Sequence, residues 1–311
     1  MRAFVVLNPV AGLDDGTDVR AVIEMHLARA GWEVEIHETT ESEDVTERTR
    51  EALAGNYDIF VAAGGDGTVS AVAAALVSTD RLFGVLPTGS GNGLARELGI
   101  PLTLPAALAL LTEKHGVQVL DVMEVVGHGY FFLNLSMGIS ACAMRDTTRE
   151  EKRRFGWLAY LWNGSRALLG FQPVTFVLTI DDEISKVNAA DVLVANLGSV
   201  GMPSIRLAPE ITFEDGELDV ITMRARTLWD YLRTILAILI RQQRRTPHLQ
   251  AFRARKYVRI DSLPPQPVQA DGEFLGLGPV EVRVVPAAVR IITPITKTQR
   301  NLTRNHSKKT A

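Results

Sequence analysis

With 311 residues, 46% of them hydrophobic and 22% charged, the chain can bury two cores, which excludes a disordered or fibrous protein and makes two domains the expectation. A formal charge of −3 at pH 7 excludes any global attraction to nucleic acid, so contact with an anionic surface has to be local. The single cysteine, Cys142, excludes an internal disulfide and a cysteine-based metal site, and it fits a reducing, cytoplasmic address.

Residues 4–7 read as a buried first strand, too short for a signal-peptide core. Val19, Val22, Ile23 and Leu27 recur at helical spacing until Gly31, and residues 32–36 then alternate as a second strand. A polar-faced helix is expected over 43–54, a strand over 57–63, a helix over 69–77 and a strand over 82–86. Helices follow near 94–98 and 106–113. Strands alternating with helices predict a parallel, doubly wound sheet. After about residue 120 the pattern turns strand-rich, with runs at 117–126, 130–135, 174–180, 189–197, 218–223, 257–261 and 280–285. Helices are expected only over 157–169 and 228–245. The fold class is therefore α/β plus β. An α/β nucleotide-binding domain is expected over 1–124, with 286–311 as a possible completing segment, and a mostly antiparallel domain over 125–285. The tail from 297 is polar and basic. No stretch is long and apolar enough to span a bilayer.

Two glycine-rich turns carry the chemistry: Gly64-Gly65-Asp66-Gly67-Thr68 and Gly89-Ser90-Gly91-Asn92-Gly93. Each follows an apolar run and precedes a helical segment, at the carboxyl end of a strand where open α/β sheets bind ligands. Strand, glycine turn and helix start aim backbone N–H groups and a positive dipole end at a phosphate oxygen. No GxxxxGK[ST] loop or GxGxxG fingerprint is present. Asp66 offers a hard oxygen of the kind Mg²⁺ needs when it bridges nucleotide phosphates, although an Asx turn explains it too. Gly64, Gly65 and Gly67 fit a bare tight turn equally well, and Thr68 fits either a phosphate contact or a helix cap.

Asn8-Pro9-Val10-Ala11-Gly12, the first glycine turn, Leu86-Pro87-Thr88-Gly89-Ser90-Gly91-Asn92 and the late Asp271-Gly272-Glu273 together resemble the successive motifs of the diacylglycerol-kinase-like lipid kinases, which include the sphingosine and ceramide kinases. The likeness runs from residue 4 to about 290. It implies an N-terminal domain similar to those of phosphofructokinases and NAD kinases, a C-terminal antiparallel β-sandwich, and ATP and Mg²⁺ as cofactors. Nucleotide-contacting positions of the family fall on Asn8, Pro9, Val10, Ala11, Gly12, Thr39, Gly64, Gly65, Asp66, Gly67, Thr68, Val69, Ser70, Ala71, Gly89, Ser90 and Asn92. Glu273, beside Asp271, matches the family's general base, and Asp66 would act on the phosphates through Mg²⁺. Read alone, Asp271-Gly272 is also a common hairpin turn. The stretch 209–219 resembles the family's structural-magnesium loop, with the Asp215 side chain and the carbonyls of Thr212 and Glu217 as ligands; a plain turn fits as well. Three departures stand out: Gly93 replaces an acidic residue, Ser70-Ala71 replace Asn-Glu, and no basic residue follows Gly12.

The expected activity is ATP-dependent phosphorylation of a lipid hydroxyl, diacylglycerol-like or sphingoid. An NAD-kinase-like enzyme and a non-catalytic lipid-binding or regulatory protein are the alternatives. A lipid acceptor implies peripheral contact with the inner face of the membrane, and a homodimer stays open. Two segments have interfacial composition. One is the helix over 228–245, with Leu228, Leu232, Ile235 and Leu239 on one side and Arg241, Arg244 and Arg245 at its end. For it, packing of the apolar side into the core is the stronger expectation. The other is the cluster of Arg149, Lys152, Arg153 and Arg154 before Phe155, Trp157 and Tyr160.

Overall fold

A computed structural model of the chain describes residues 1–12, 18–145, 173–200, 202–206, 211–225, 227–240, 242 and 246–295. The expected helix over 157–169, the basic–aromatic cluster at 149–160, Arg241, Arg244, Arg245 and the tail from 297 lie outside the described residues. The chain divides into two units, Met1–Leu120 with the chain from Ala287 on, and Asp121–Pro286.

The first unit alternates β1 (Arg2–Leu7), α1 (Val19–Arg29), β2 (Glu33–Glu38), α2 (Val45–Ala52), β3 (Ile59–Gly64), α3 (Asp66–Leu76), β4 (Leu82–Pro87), α4 (Gly93–Glu97) and α5 (Leu104–Thr112). The strands run parallel in the order β2-β1-β3-β4. Every residue of β3, and β1 from Ala3 on, is buried. Strands covered on both faces need apolar side chains in both directions, which is why these two read as unbroken apolar runs. Val5, Leu7, Ile59 and Val61 pack on Ile23 and Leu27 of α1 and on Leu104, Leu108 and Leu111 of α5. Phe4, pointing the other way, packs on Tyr57 and Phe60, with ring centroids 5.2 and 5.8 Å away. Helix starts follow their caps. Asp18 accepts from the Ala21 N–H and Asp44 from the Glu47 N–H, both at 3.0 Å. Gly31, at φ +76°, ends the turn after α1 in a conformation that favours glycine.

β5 (Gly116–Val125) leads into the second unit, which adds β6 (Gly129–Phe131), β7 (Asn134–Gly138), α6 (Ile139–Arg145), β8 (Val174–Ile180), β9 (Glu183–Ala189), β10 (Asp191–Ala195), β11 (Ser199–Val200), β12 (Met202–Arg206), β13 (Leu218–Met223), α7 (Leu228–Leu239), β14 (Leu249–Ala254), β15 (Tyr257–Leu263), β16 (Pro267–Ala270), β17 (Glu273–Leu277) and β18 (Val280–Thr293). One antiparallel sheet has the order β14-β13-β10-β7-β16-β17. A second joins β9, β8 and β15 to the first half of β18. Inward residues of both, among them Leu135, Met137, Val192, Val220 and Val268 against Phe176, Leu178, Val258, Ile260 and Val282, form one core, as in a sandwich of two sheets.

Several boundaries differ from expectation for physical reasons. Helix α3 starts at Asp66 rather than 69, so the Gly-Asp-Gly run is half turn and half helix. The expected strand over 130–135 breaks at Phe132 and Leu133, whose N–H groups go to the Asp271 carboxylate instead of a neighbouring strand. β18 passes through Pro286 and Ala287, the latter at φ +49°, and its end pairs parallel with β4 at Arg290↔Leu82. α7 ends at Leu239 rather than 245. β9, β14 and β17 escaped the apolar-run reading because their exposed faces are polar or interrupted, and β16, although buried, because its four residues start at Pro267 and include Gln269.

Candidate active site

In the first unit the carboxyl ends of β1, β3 and β4 lie side by side, because Leu7 pairs with Ala63 and Gly64 with Pro87. Three loops, 8–12, 64–68 and 88–93, therefore leave the sheet at one edge. Backbone bonds tie them together: the Asn8 N–H donates to the Ala63 carbonyl at 2.9 Å, and the Thr88 N–H to the Gly64 carbonyl at 3.0 Å. Thr39, at the end of β2, joins the same edge by donating to the Leu7 carbonyl at 2.8 Å.

The glycines are there because the loops touch backbone to backbone. A Cβ on Gly89 would run into the Cα of Gly65, one on Gly12 into the Thr88 carbonyl, and one on Gly64 into the Thr68 side chain. Gly12 also sits at φ +62°, where a side chain is strained. Gly91 has a different constraint, since its Cβ would strike the Asp66 carboxylate. Asp66 Oδ1 accepts the Gly93 N–H at 2.6 Å, which assigns a use to the position where the sequence lacks the family's acid. Gly91 and Gly93 lie in the expected second turn but were not among the expected nucleotide-contacting positions, and the pattern of glycines at every second position was the signal for them.

Helix α3 has Gly65 as N-cap and no side-chain capping bond. Its first-turn N–H groups and positive dipole end are left for an anion. Thr68, buried in that first turn, does not cap it; its hydroxyl accepts from the Asn8 side-chain amide at 3.2 Å. Asn8 Oδ1 in turn accepts the Val10 N–H at 3.1 Å. Asn92 adopts φ +54° and donates to the Gly89 carbonyl at 2.5 Å. Its Oδ1 and the Thr88 hydroxyl are buried with no hydrogen-bond partner, unusual for buried polar atoms. Arg96 Nε donates to the Gly91 carbonyl at 2.8 Å, which brings a guanidinium to the second turn. Pro9, Val10, Gly67 and Ser90 are exposed at these loops. Val69 turns into the core, and the Ala71 carbonyl is taken by the Thr46 hydroxyl at 3.1 Å. The arrangement sets backbone N–H groups around one carboxylate, a geometry that can receive an anion.

In the second unit Asp271 and Gly272, at φ +47° and +87°, make the two-residue turn joining β16 to β17, so the hairpin reading of Asp-Gly holds. The Asp271 carboxylate accepts the N–H groups of Phe132, Leu133 and Asn134 at 2.7, 2.9 and 2.9 Å. Gln269 accepts the Gly272 N–H at 3.0 Å and donates to the Ser136 hydroxyl at 2.8 Å. Glu273, the first residue of β17, is exposed. Asp271 thus holds the turn, while Glu273 presents an accessible carboxylate.

The 211–219 loop is closed by Asp121, whose carboxylate accepts the Gly216 N–H at 2.6 Å and whose N–H donates to the Phe213 carbonyl at 2.8 Å. Asp215 Oδ1 accepts the Glu217 N–H at 3.2 Å. The Glu217 carboxylate is bonded to Arg255 at 2.7 Å and Arg253 at 3.1 Å, and Arg255 above all holds it below its ordinary pKa. Among the described residues no group of three His, Cys, Asp or Glu side chains could hold a metal ion. The expected Asp215, Thr212 and Glu217 set would use one side chain and two carbonyls, a combination that such a group of side chains does not cover.

Residues 2–125 match the diacylglycerol kinase catalytic domain, and residues 134–293 match the YegS C-terminal NAD kinase beta sandwich-like domain. The chain belongs to the diacylglycerol kinase catalytic-domain family of lipid kinases. Its relatives in that family include a diacylglycerol kinase of Bacillus subtilis, 28% identical over 96% of this chain and 98% of that one. Another, from Staphylococcus saprophyticus, is 24% identical over 94% and 95%. A crystal structure of a diacylglycerol kinase from Bacillus anthracis aligns with a TM-score of 0.70 at 20% identity, covering 94% and 96% of the two chains, and shares the fold.

Proposed function

We propose that this chain is an ATP-dependent lipid kinase that transfers the γ-phosphoryl group to a hydroxyl of a diacylglycerol-like or sphingoid membrane lipid. The observation that carries this reading is the edge where loops 8–12, 64–68 and 88–93 meet through glycines around Asp66 and the uncapped start of α3. Such a cradle suits the phosphates of a nucleotide: the unpartnered Thr88 hydroxyl can donate to a phosphate oxygen, and the unpartnered Asn92 Oδ1 can accept from a nucleotide hydroxyl or amino group. Magnesium bound with the nucleotide would be held by Asp66 and would offset the charge on the phosphates. Glu273 accepts the proton of the lipid hydroxyl as its oxygen attacks phosphorus, the bond to the β-phosphate oxygen breaks, and ADP leaves. Asp271 positions Glu273 through the hairpin turn. The enzyme works at the inner face of the membrane as a peripheral protein; no helix among the described residues is long and apolar enough to cross one.

Radiolabelled ATP with Mg²⁺ over a mixed-micelle panel of diacylglycerol, monoacylglycerol, phosphatidylglycerol, sphingosine and ceramide, with NAD as a soluble acceptor, tests this directly. Labelled lipid from at least one alcohol is expected. Label only in NAD, or in nothing, removes the proposal.

A further inference from the structure

Helix α7 leaves one side uncovered. Thr234 and Ile238 are buried, Ile238 in a small core with Ile211 and Ile221, while Trp229, Leu232, Leu236 and Ile240 are 66%, 44%, 55% and 53% exposed. Spacings of three, four and four residues align these four in a single stripe. The stripe shares Leu232 with the expected apolar side, whereas Ile235 of that side is half-buried. The capping box between Thr227 and Asp230 fixes the start of the helix, so Trp229 is held on its first turn. Arg233 is exposed on the same helix.

At that end of the helix lies an open cavity of about 630 Å³ lined by Thr175, Lys186, Asn188, Arg224, Pro247 and His248. His248 Nε2 is 3.6 Å from Asp230 Oδ1, and the Arg224 N–H donates to the His248 carbonyl at 2.7 Å, so cavity and helix start adjoin. Its described lining holds no carboxylate. Asp230 lies beside it and is engaged in the capping box as well as facing His248. Arg224 donates to the neutral Gln250 side chain at 3.2 Å, and Lys186 makes no ion pair among the described residues. In a chain with a formal charge of −3, this described lining carries the cations Lys186 and Arg224 and no carboxylate of its own.

We infer that this end of the second unit docks on an anionic phospholipid bilayer, the α7 stripe entering the interface and Lys186 and Arg224 binding a lipid phosphate. An exposed Trp and aliphatic residues on one helix side suit the headgroup–acyl boundary. The adjoining cations are complementary to anionic headgroups. The inference rests on the lipid-kinase reading, since a lipid acceptor has to be met at a bilayer.

Cosedimentation of the full chain with phosphatidylglycerol–phosphatidylcholine vesicles, compared with phosphatidylcholine alone, tests it. The wild type is expected to prefer the anionic vesicles. Trp229→Ser with Leu236→Ser should weaken partitioning about tenfold or more on both vesicle types. Lys186→Ala and Arg224→Ala should each weaken it about fivefold on anionic vesicles alone. All four side chains are exposed, so thermal unfolding should not move. Equal binding to the two vesicle types, or variants that bind like the wild type, overturns the inference. So does a Trp229/Leu236 variant that shifts the chain from dimer to monomer in sedimentation velocity while vesicle binding stays the same, which would make the stripe a contact between copies. The kinase reading fails separately: wild-type chain that partitions as expected yet labels no lipid in mixed micelles loses that reading and keeps the surface. Labelling without anionic preference does the reverse.

Discussion

The loops of the first unit are held by backbone meeting backbone, through strand register and glycines too close to their neighbours to carry side chains. In the second unit, the hairpin that presents Glu273 is held mainly by one side chain, the Asp271 carboxylate, which gathers three N–H groups from a broken strand. The two regions should fail differently. Where glycines set the geometry, adding a single methyl group does the damage. Where a carboxylate sets it, losing an acceptor does. The largest effects are expected from the chemical groups themselves. Asp66→Ala and Glu273→Gln should each lower kcat by about 10³-fold with the fold intact, measured by radiolabelled phosphoryl transfer. A Glu273→Gln enzyme with near wild-type turnover would take the base away from this hairpin.

Next comes the added methyl. Gly91→Ala drives a Cβ into the Asp66 carboxylate, and a displacement of that size costs about 10²-fold in kcat/KM through misplaced phosphates. Stability should change little, because Gly91 is exposed. If Gly91→Ala instead unfolds the chain and spares the kinetics of what remains folded, the loop contact is structural and not part of the site. Asp271→Ala should do the opposite. It leaves the Phe132, Leu133 and Asn134 N–H groups without their acceptor, costs about 3 kcal/mol of stability, and lowers kcat by about tenfold through a loosened Glu273. Thermal unfolding and steady-state kinetics on the same preparation separate the two signatures, and Asp271→Asn, which keeps one acceptor oxygen, should recover part of both.

The same contrast explains what could be read in advance. β1 and β3 are buried on both faces, so their apolar runs announced them, and each glycine turn stood out against such a run. The approach of Gly89 to Gly65, or of Gly91 to Asp66, depends on the register of β3 and β4, which no local pattern encodes. Asp271-Gly272 was legible as a hairpin from φ-tolerant residues alone. The partners of Asp271 lie 137 to 139 residues away in the chain, and the break in the strand that frees their N–H groups has no signature in Phe132 or Leu133. The exposed stripe of α7 overlaps the expected apolar side only at Leu232, because that helix is apolar over most of its length and periodicity alone could not choose which stripe is covered.

A second carboxylate in the second unit completes the comparison. Asp191, at the start of β10, is buried like a core residue. Where Asp271 gathers three backbone donors, Asp191 is pulled on, among backbone donors, by the Ser140 and Val192 N–H groups alone, and its Oδ1 has no hydrogen-bond partner. Burial pushes its pKa up to about 7, with Ser140 and the Val192 N–H pulling weakly the other way. Burial first, and then Asp191, also push the Tyr231 hydroxyl on α7 upward. A carboxylate raised this way binds its proton more tightly in the folded than in the unfolded chain. Its contribution to stability is therefore fully present below about pH 4, declines as pH rises, and is gone once pH passes about 7. Asp191→Asn, which stays neutral throughout, should match the wild type near pH 4 and exceed it by a growing margin up to about pH 7. Above that the margin should be constant, on the order of a few kcal/mol. Denaturant unfolding of both proteins across pH 4 to 9 reads this difference directly, with turnover expected to stay the same. A margin that is flat with pH would mean that Asp191 is ionised in the fold already, held by donors as Asp271 is, and the distinction between the two carboxylates would disappear.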